Sequence, residues 1–379
     1  MAEFFFYAGA VWWSVSTALF CVSLACGLAQ PFVQRRRATR KDRPPVSAII
    51  PVKLLDPGFE RAQASIFMQD YPAYEVLISA AEDTSPALDA ARAIAAAHKD
   101  VECRFLRSPG IAAVSPKLNN LSGPLEAANH DLVFTKDTNI TLDPGTMAAF
   151  VQNLTPDTGL VCAVPVAVRA QNFAGRIEAI LINGHARLLL TASTLGFGFG
   201  VGKTTLFRRS DLARAGGIAA LSNTLAEDTA LSLELARQGL KTVFCHRTVA
   251  QETGARSFAE IYERQLRWSV IRRKNERFKF PLEPLASPLP AALAGALAAP
   301  LLSYPPSLGF LTTLFLWFCA ETLFALLKGW EVSVWSPLAF LGREVLALAA
   351  WMRAFTTYDV VWAKTRFDAR KGALDETQS

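Results

Sequence analysis

The chain has 379 residues, of which 51% are hydrophobic and 19% are charged, and its formal net charge is +6. This length allows one large domain with additional elements, and the apolar fraction is high for a purely soluble protein. The six cysteines form no Cys-x-x-Cys pair, which argues against both a zinc site and a secreted disulfide framework.

The first predicted element is an uncharged stretch from Phe4 to Gln34. A helix needs about 20 apolar residues to cross a bilayer core. A secretory signal peptide has a basic start and a shorter apolar region, about 7–15 residues long. Here Ala2 and Glu3 precede the apolar run and the basic residues follow it. We therefore predict a retained transmembrane anchor over residues 4–29.

A basic stretch, QRRRATRKDR at residues 34–43, follows the anchor. It carries six basic residues and one acid, or 6 − 1 = +5 of the chain's 39 − 33 = +6. Such a cluster marks the cytoplasmic side of a membrane and attracts anionic lipid headgroups. We therefore predict a cytoplasmic domain over residues 43–283, at the inner membrane if the source is bacterial. The nearly neutral remainder of the chain argues against nucleic-acid binding.

Short apolar runs alternate with helical segments inside this domain. Strands are predicted at Val46–Val52, Tyr74–Ala80, Leu132–Lys136 and Gly159–Val168. Helices are predicted at Pro86–Ala97, Pro124–Asn129, Phe173–Ala192 and Ala226–Gln238. This alternation predicts an α/β fold with a mainly parallel central sheet, whose ligands bind beyond the carboxyl ends of the strands.

Acidic residues stand where such a sheet would bind a ligand. AEDTS at residues 81–85 and DTNI at residues 137–140 each follow a predicted strand, and Glu227 and Asp228 begin a predicted helix. RQLRW occupies residues 264–268. Each feature alone has an ordinary structural explanation, as a turn, a helix N-terminus or a membrane-interface anchor. Their order and their placement at strand ends favour a shared site.

The stretch GFGFGVGKTT at residues 196–205 looks like a phosphate-binding loop. Phe197, however, stands where a P-loop needs glycine. The dinucleotide fingerprint also fails, since Phe199 or Lys203 falls at its third glycine. Lys203 is therefore not assigned as a phosphate clamp. Glycine at every second position predicts an extended segment with bare backbone on one face, either a plain glycine-weakened strand or a strip that a ligand approaches closely.

A membrane region is predicted over residues 284–355. Its helices are predicted at about 286–304, 308–327 and 332–355. The last of these carries Arg343 and Glu344 at its middle, where charge in lipid is costly. It is therefore either a third span with a paired charge or a helix that lies in the interface. A cytoplasmic tail is predicted over residues 356–379.

The motifs together resemble the ceramide glucosyltransferases of glycosyltransferase family 21. The matching segments are SPKLNNL, DTNI, NGHARLLLTAS, LAEDTALSLELARQG and RQLRW. They occur in the family's order with roughly its spacing, and the resemblance covers nearly the whole chain. It implies the GT-A nucleotide-sugar-binding fold with a mainly parallel central sheet, three acidic positions, a (Gln/Arg)-x-x-Arg-Trp motif and transmembrane helices at both ends.

The resemblance implies an inverting enzyme that transfers a hexose, with glucose favoured, from a UDP-sugar to a membrane-lipid hydroxyl and forms a β-glycolipid. Ceramide is the favoured acceptor. The alternative acceptors are a hopanoid, which would receive N-acetylglucosamine, and diacylglycerol. A processive polysaccharide synthase needs a channel lined by several membrane helices, whereas only two or three follow the catalytic domain here. An inactive membrane scaffold is disfavoured by retention of the acids and of the Arg-Trp pair.

The chemistry and the resemblance together assign the site residues. Asp137 is the predicted ligand of a Mg²⁺ or Mn²⁺ ion that neutralises the leaving diphosphate, and Asn139 stands in place of a second acid. Asp228 matches the family's third acid and is the predicted general base. Glu82 is the alternative to Asp83 as the first acid. The further implied residues are the catalytic Arg264, Arg267 and Trp268, the donor contacts Asp83, Lys117, Asn119 and Asn120, and the acceptor-side His185.

Overall fold

The computed structural model describes residues 2–37, 39–108, 111, 113–362 and 365–368. Its helices are α1 (Ala2–Gln34), α2 (Phe59–Phe67), α3 (Pro86–Ala97), α4 (Pro116–Ala127), α5 (Thr146–Asn153), α6 (Phe173–Leu195), α7 (Arg209–Arg214), α8 (Glu227–Arg237), α9 (Phe258–Asn275), α10 (Pro288–Ala298), α11 (Pro306–Leu327) and α12 (Ser336–Ala354). Its strands are β1 (Val46–Pro51), β2 (Tyr74–Ala80), β3 (Cys103–Arg107), β4 (Leu132–Lys136), β5 (Ile140–Thr141), β6 (Thr158–Ala170), β7 (Thr204–Arg208), β8 (Lys241–Gly254), β9 (Asp359–Trp362) and β10 (Thr365–Asp368).

Eight strands form one sheet in the order β3-β2-β1-β4-β7-β6-β8-β5. In the first half of this order, β3-β2-β1-β4, each strand runs parallel to the next. Strand β6 also runs parallel to β8. Strand β7 is antiparallel to β4 and β6, and β5 is antiparallel to β8. The sheet is mixed and mostly parallel, which confirms the predicted α/β class with a mainly parallel central sheet.

The sequence pattern explains the best-predicted elements. Strands β2 and β4 have their predicted bounds because they are short apolar runs buried in the sheet. Helix α3 also has its predicted bounds. The hydroxyl of Ser85 caps its start by accepting the Leu88 N–H at 3.1 Å, and Pro86 occupies the first turn.

The bounds predicted for the next helix, Pro124–Asn129, are wrong. Helix α4 begins eight residues earlier, where Ser115 accepts the Leu118 N–H at 3.3 Å and Pro116 occupies the first turn. Proline suits this position because the first turn has no intrahelical partner for its missing N–H. Pro124 lies inside the helix instead of starting it. This start places Lys117 in the first turn of α4.

The chain divides into two compact units by its contacts. One unit comprises residues 30–170 and 192–254, which include the eight-stranded sheet. Its core packs the apolar side chains of the sheet, such as Ile50 and Phe134, against helices α2, α3 and α5. The other unit comprises residues 1–29, 171–191 and 255 onward. The functional boundaries of 43–283 and 284–355 stay predictions, because the units are defined by packing.

Two helices among the described residues, over Glu3–Gln34 and Pro306–Leu327, are long and apolar enough to cross a membrane. A bent pair, Phe280–Ala286 with Pro288–Leu302, has an angle of 73° and makes a third span if it is counted as one. This pair contains most of the predicted helix at 286–304 but ends at Leu302.

Helix α12, Ser336–Ala354, lies within the predicted helix at 332–355, and the two charges at its middle are buried and paired. Arg343 Nη1 lies 2.7 Å from Glu321 Oε2, and Arg343 Nε lies 2.7 Å from Glu344 Oε1. Arg187 of α6 contacts the other oxygen of Glu321 at 3.2 Å. These side chains therefore form one formally neutral network of two arginines and two glutamates inside this unit.

The predicted tail, residues 356–379, is described only in part, since residues 363–364 and 369–379 lie outside the described residues. Its described part contains the antiparallel strands β9 and β10. Helix α9 contacts this segment through two arginines. Arg267 donates to the Val361 carbonyl at 3.0 Å, and Arg273 donates to the Thr357 carbonyl at 3.1 Å.

Candidate active site

Two of the predicted acidic segments follow strands that end at the same edge of the sheet. Strands β2 and β4 both pair in parallel with β1, one on each side of it. Asp83 follows β2 and Asp137 follows β4. Because neighbouring strands lie about 4.8 Å apart, these two strand ends are separated by roughly 10 Å. This spacing suits a ligand that extends across the edge of the sheet.

The carboxylate of Asp137 is held by two ammonium groups. Lys117 Nζ lies 2.6 Å from Oδ1, and Lys203 Nζ lies 3.0 Å from Oδ2. Burial acts to raise the pKa of Asp137, but the two lysines outweigh burial and place the pKa below its usual value. Asp137 is therefore a carboxylate anion at neutral pH.

Lys117 links this carboxylate to the acids of α8. Its ammonium lies 3.6 Å from Glu227 Oε1 and donates a hydrogen bond to the carbonyl of Gly202. Burial acts to lower the pKa of Lys117, but the charges of Asp137 and Glu227 outweigh it, so the pKa is raised. The side chain is 15% exposed. Lys117 is thus an internal cation among three carboxylates.

Glu227 and Asp228 occupy the first turn of α8 and have different partners. The Ser115 hydroxyl donates to Glu227 Oε2 at 3.0 Å. The N–H groups of Gly202 and Thr229 donate to the two oxygens of Asp228 at 2.6 and 2.7 Å. Burial raises the pKa of Asp228, and Lys117 opposes this rise. A fixed carboxylate with a raised pKa is suited to accept a proton.

The glycine segment runs beside these acids and is not a strand, since β7 begins only at Thr204. A Cβ atom added at Gly198 would lie 1.9 Å from the Thr242 carbonyl oxygen, and one at Gly200 would lie 2.0 Å from the Asp228 carbonyl oxygen. The bare backbone faces protein backbone at both glycines, which corrects the expectation that a ligand approaches there. Phe197 is 66% exposed.

Lys203 belongs to the cluster, although the sequence reasoning set it aside. Neither the P-loop nor the dinucleotide fingerprint describes a lysine whose ammonium contacts an aspartate at the end of the neighbouring strand. The signal that could have revealed it is its position directly before β7. Strand β7 pairs with β4 and matches Thr204 with Lys136, the residue before Asp137.

Asp83 lies on the surface, where its side chain is 70% exposed and contacts the equally exposed Arg107 at 2.9 Å. Glu82 beside it is also exposed. Exposed pairs of this kind contribute little to stability, so the carboxylate of Asp83 can exchange Arg107 for a ligand group at low cost.

The two asparagines of SPKLNNL hold protein structure. The side chain of Asn119 accepts the N–H groups of Ile111 and Ala113 at 3.2 and 2.9 Å and donates to the Ala113 carbonyl at 3.0 Å. The backbone carbonyl of the buried Asn120 accepts the hydroxyls of Ser79 and Ser108, each at 2.7 Å. The side chain of Asn119 thus holds the loop before α4, and the backbone of Asn120 ties α4 to Ser79 of β2 and to Ser108.

In the other unit, the structure brings His185 of α6 to Trp268 of α9. Their ring centroids are 6.1 Å apart with an interplanar angle of 69°, an edge-to-face contact. Burial, with nearby arginines, lowers the pKa of His185 to about 3. The imidazole is therefore neutral at physiological pH.

The arginines of RQLRW differ in their surroundings. Arg264 forms an ion pair with Glu178 of α6, a residue that is 1% exposed, and Arg256 contacts the same carboxylate at 2.9 Å. This pairing attaches α9 to α6. Burial lowers the pKa of Arg267 to about 10, so its guanidinium remains charged. Glu178 was missed from the sequence because a lone acid within an apolar helix carries no local signal.

The described residues contain no group of three or more His, Cys, Asp or Glu side chains arranged to hold a metal ion. Asp137 offers one hard carboxylate, 20% exposed, and Asn139 beside it is buried. Mg²⁺ at sites for phosphorylated substrates is commonly held by one or two carboxylates plus substrate phosphates. The residues present fit a metal of that kind, one that binds together with its substrate.

Comparisons with known proteins identify the family of the chain. A sequence model described as Glycosyl transferase family 21 matches residues 13–375. Ceramide glucosyltransferase 1 of Caenorhabditis elegans is 24% identical over 344 residues, which cover 88% of this chain and 73% of the relative. Ceramide glucosyltransferase of Pyricularia oryzae is 24% identical over 472 residues, which cover 96% and 93%.

Two other comparisons are more limited. Ceramide glucosyltransferase of Komagataella phaffii is 27% identical over 191 residues, which cover 44% of this chain and 38% of the relative. Among solved structures, the mannosyltransferase PcManGT from Pyrobaculum calidifontis is 18% identical with a TM-score of 0.49, covering 91% of this chain and 98% of the other. The family match extends over most of the chain, and the chain therefore belongs to glycosyltransferase family 21 and is a glycosyltransferase.

Proposed function

We propose that this enzyme transfers a hexose from a UDP-sugar to the hydroxyl group of a membrane lipid, with glucose as the sugar and ceramide as the acceptor. The names of the relatives support this choice of donor sugar and acceptor. The observation that carries the proposal is the position of Lys117, whose ammonium lies 2.6 Å from Asp137 and 3.6 Å from Glu227, next to Asp228.

The donor end of the proposed site lies at the carboxyl edge of β2 and β4. Asp83 would contact the uridine portion and Asp137 would hold a divalent ion, Mg²⁺ or Mn²⁺. When bound, this ion neutralises charge on the leaving diphosphate. Lys117 supplies a further positive charge at the same place. Asp228 accepts the proton of the lipid hydroxyl as that oxygen attacks the anomeric carbon, which inverts the configuration and gives a β-linked product.

The motif residues of the second unit have roles in the proposed reaction beside those of the acids. Trp268 offers an aromatic face for a sugar or a lipid chain, and His185 offers a neutral hydrogen-bonding group on the acceptor side. Arg267 supplies a buried positive charge for phosphate oxygens. Arg264 positions the motif through its ion pair with Glu178.

We propose that the enzyme is an integral membrane protein with its catalytic domain on the cytoplasmic side. Its two candidate spans support the membrane location. The basic residues at 34–43 support the orientation, because positive charge accumulates on the cytoplasmic side of membrane helices. The predicted domain boundaries, 43–283 and 284–355, belong to this proposal.

The test is a matrix of donors and acceptors. The purified full chain in lipid nanodiscs is offered UDP-glucose, UDP-galactose or UDP-N-acetylglucosamine with ceramide, diacylglycerol or a hopanoid, and the products are identified by mass spectrometry. Glucosylceramide as the main product supports the proposal. A product formed only from diacylglycerol or only from the hopanoid would show that ceramide is not the acceptor. A polysaccharide product would show that the enzyme is a processive synthase. No lipid product in any combination would contradict the proposal.

A further inference from the structure

The two ammonium groups on Asp137 are not equivalent. Each oxygen of the carboxylate faces one lysine, at 2.6 Å for Lys117 and 3.0 Å for Lys203. Lys117 also donates to the Gly202 carbonyl and lies 3.6 Å from Glu227. The Lys203 ammonium contacts Asp137 alone within the part of the chain that the structure describes. Lys203 is therefore the cation that can leave Asp137 with the smaller loss of contacts.

The backbone of Lys203 is fixed while its side chain is accessible. Its carbonyl accepts the N–H of Asp137 at 3.0 Å, and the next residue starts β7. The side chain is 25% exposed, compared with 15% for Lys117. A lysine has a flexible four-carbon stem with three donors at its end. The ammonium can therefore change partners without movement of the strand that carries it.

The net charge of the site favours a transfer of Lys203 from Asp137 to a bound diphosphate. Asp137, Glu227 and Asp228 carry three negative charges, and the two lysines carry two positive ones, which leaves a formal charge of −1. A diphosphate approaching this cluster needs cations that face it. If a divalent ion occupies an oxygen of Asp137, the lysine on that oxygen is displaced and becomes available to a phosphate oxygen.

We propose that Lys203 occupies Asp137 in the donor-free enzyme and moves to the donor diphosphate when Asp137 takes the metal ion. This inference rests on the proposed UDP-sugar donor and adds a residue to its binding site. The Lys203–Asp137 ion pair breaks and a Lys203–phosphate ion pair forms, while Lys203 keeps its protons throughout. Lys203 thus competes with the metal in the free enzyme and supports the diphosphate in the loaded one.

The test measures binding by calorimetry on the full chain, with Lys203→Gln compared with wild type. Loss of a hydrogen bond to a charged phosphate weakens binding by about 10- to 100-fold, and we expect this for UDP in the presence of Mg²⁺. Uridine, which has no phosphates, should bind both proteins equally. Mn²⁺ without nucleotide should bind the variant more tightly, because Asp137 has lost a competing cation.

Two further variants test whether the effect depends on the positive charge at position 203. Lys203→Arg keeps the charge and should retain UDP binding within a few-fold. Lys241→Gln removes an exposed lysine of the same unit, paired with Asp157, and should change nothing. UDP binding by Lys203→Gln equal to wild type, or an equal loss of uridine binding, would overturn the role of Lys203 alone. Wild-type protein that binds no UDP would overturn the proposed donor and the role of Lys203 with it.

Discussion

The backbone N–H of Gly202 donates a 2.6 Å hydrogen bond to Oδ2 of Asp228. One residue of the glycine segment therefore fixes one oxygen of the proposed base. Gly200 lies against the backbone of the same aspartate. The alternating glycines thus have a structural reason that no nucleotide-loop motif describes: they let this segment approach the start of α8 closely enough to hold Asp228.

This contact predicts the effect of Gly200→Ala. The new Cβ would lie 2.0 Å from the Asp228 carbonyl oxygen, so the backbone that carries the base must shift. A displacement of about 1 Å at a catalytic group can lower the rate about 100-fold, and we expect a loss of that order in kcat. Initial rates at saturating donor and acceptor measure it.

Two matched glycines serve as controls for that variant. Gly198→Ala meets the Thr242 carbonyl oxygen at 1.9 Å, so it should lower the unfolding temperature without the specific loss in kcat. Gly145→Ala makes only ordinary contacts of 3.4 Å or more and should resemble wild type. Equal kcat values for the folded Gly200→Ala and Gly198→Ala variants would refute the positioning role of Gly200.

The pH dependence of the rate should report Asp228 and its neighbour Glu227. Burial raises the pKa of both carboxyls. Since the ionised carboxylate is the active form, activity is lost as the pH falls through the raised pKa. The acidic limb of kcat/KM should thus lie above the usual range of an aspartate, with an apparent pKa that belongs to the pair.

Substitution of Lys117 should shift the acidic limb of the pH profile in a defined direction. Lys117 lowers the pKa of Asp228 against the effect of burial, so Lys117→Met should move the acidic limb to higher pH. Lys117→Arg keeps the charge and should move it less. A limb that stays in place in Lys117→Met would show that the titrating group is not in this cluster.

Metal dependence should follow from Asp137. A divalent ion contributes several kcal/mol to the stabilisation of transition-state charge, so excess EDTA should lower the transfer rate at least about 100-fold, and added Mg²⁺ or Mn²⁺ should restore it. Asp137→Asn should cause a similar loss. Asp157→Asn alters an exposed acid in the same unit and is the control. Full activity of wild type in excess EDTA contradicts the role of Asp137.

The buried network around Arg343 should stabilise its unit. Removing one partner of a buried ion pair typically costs about 3–5 kcal/mol, because the other charge is left uncompensated. Arg343→Met leaves Glu321 and Glu344 without this partner and should lower the unfolding temperature in scanning fluorimetry. Arg353→Met changes an exposed arginine of the same helix and should have little effect. Equal unfolding temperatures would argue against the network.

The sequence predicted those parts of the fold and site that local patterns encode. Strands β2 and β4 and helix α3 were predicted with their correct bounds, and the resemblance indicated Asp137, Asp228 and the fold class. The pairing of Asp137 with Lys203 was not predictable, because it joins residues 66 positions apart that meet only through the pairing of β4 with β7. The hydrogen bonds of Asn119 with Ile111 and Ala113 in the preceding loop were not predictable either, because they have no sequence signature.

The most direct test of the account compares Asp228→Asn with wild type in the transfer of glucose from UDP-glucose to ceramide by the purified full chain. A general base contributes about 100- to 10,000-fold to a rate, so the variant should form glucosylceramide at least about 100 times more slowly while its affinity for UDP stays within a few-fold. Product formation by Asp228→Asn at the wild-type rate would contradict the assignment of Asp228 as the base.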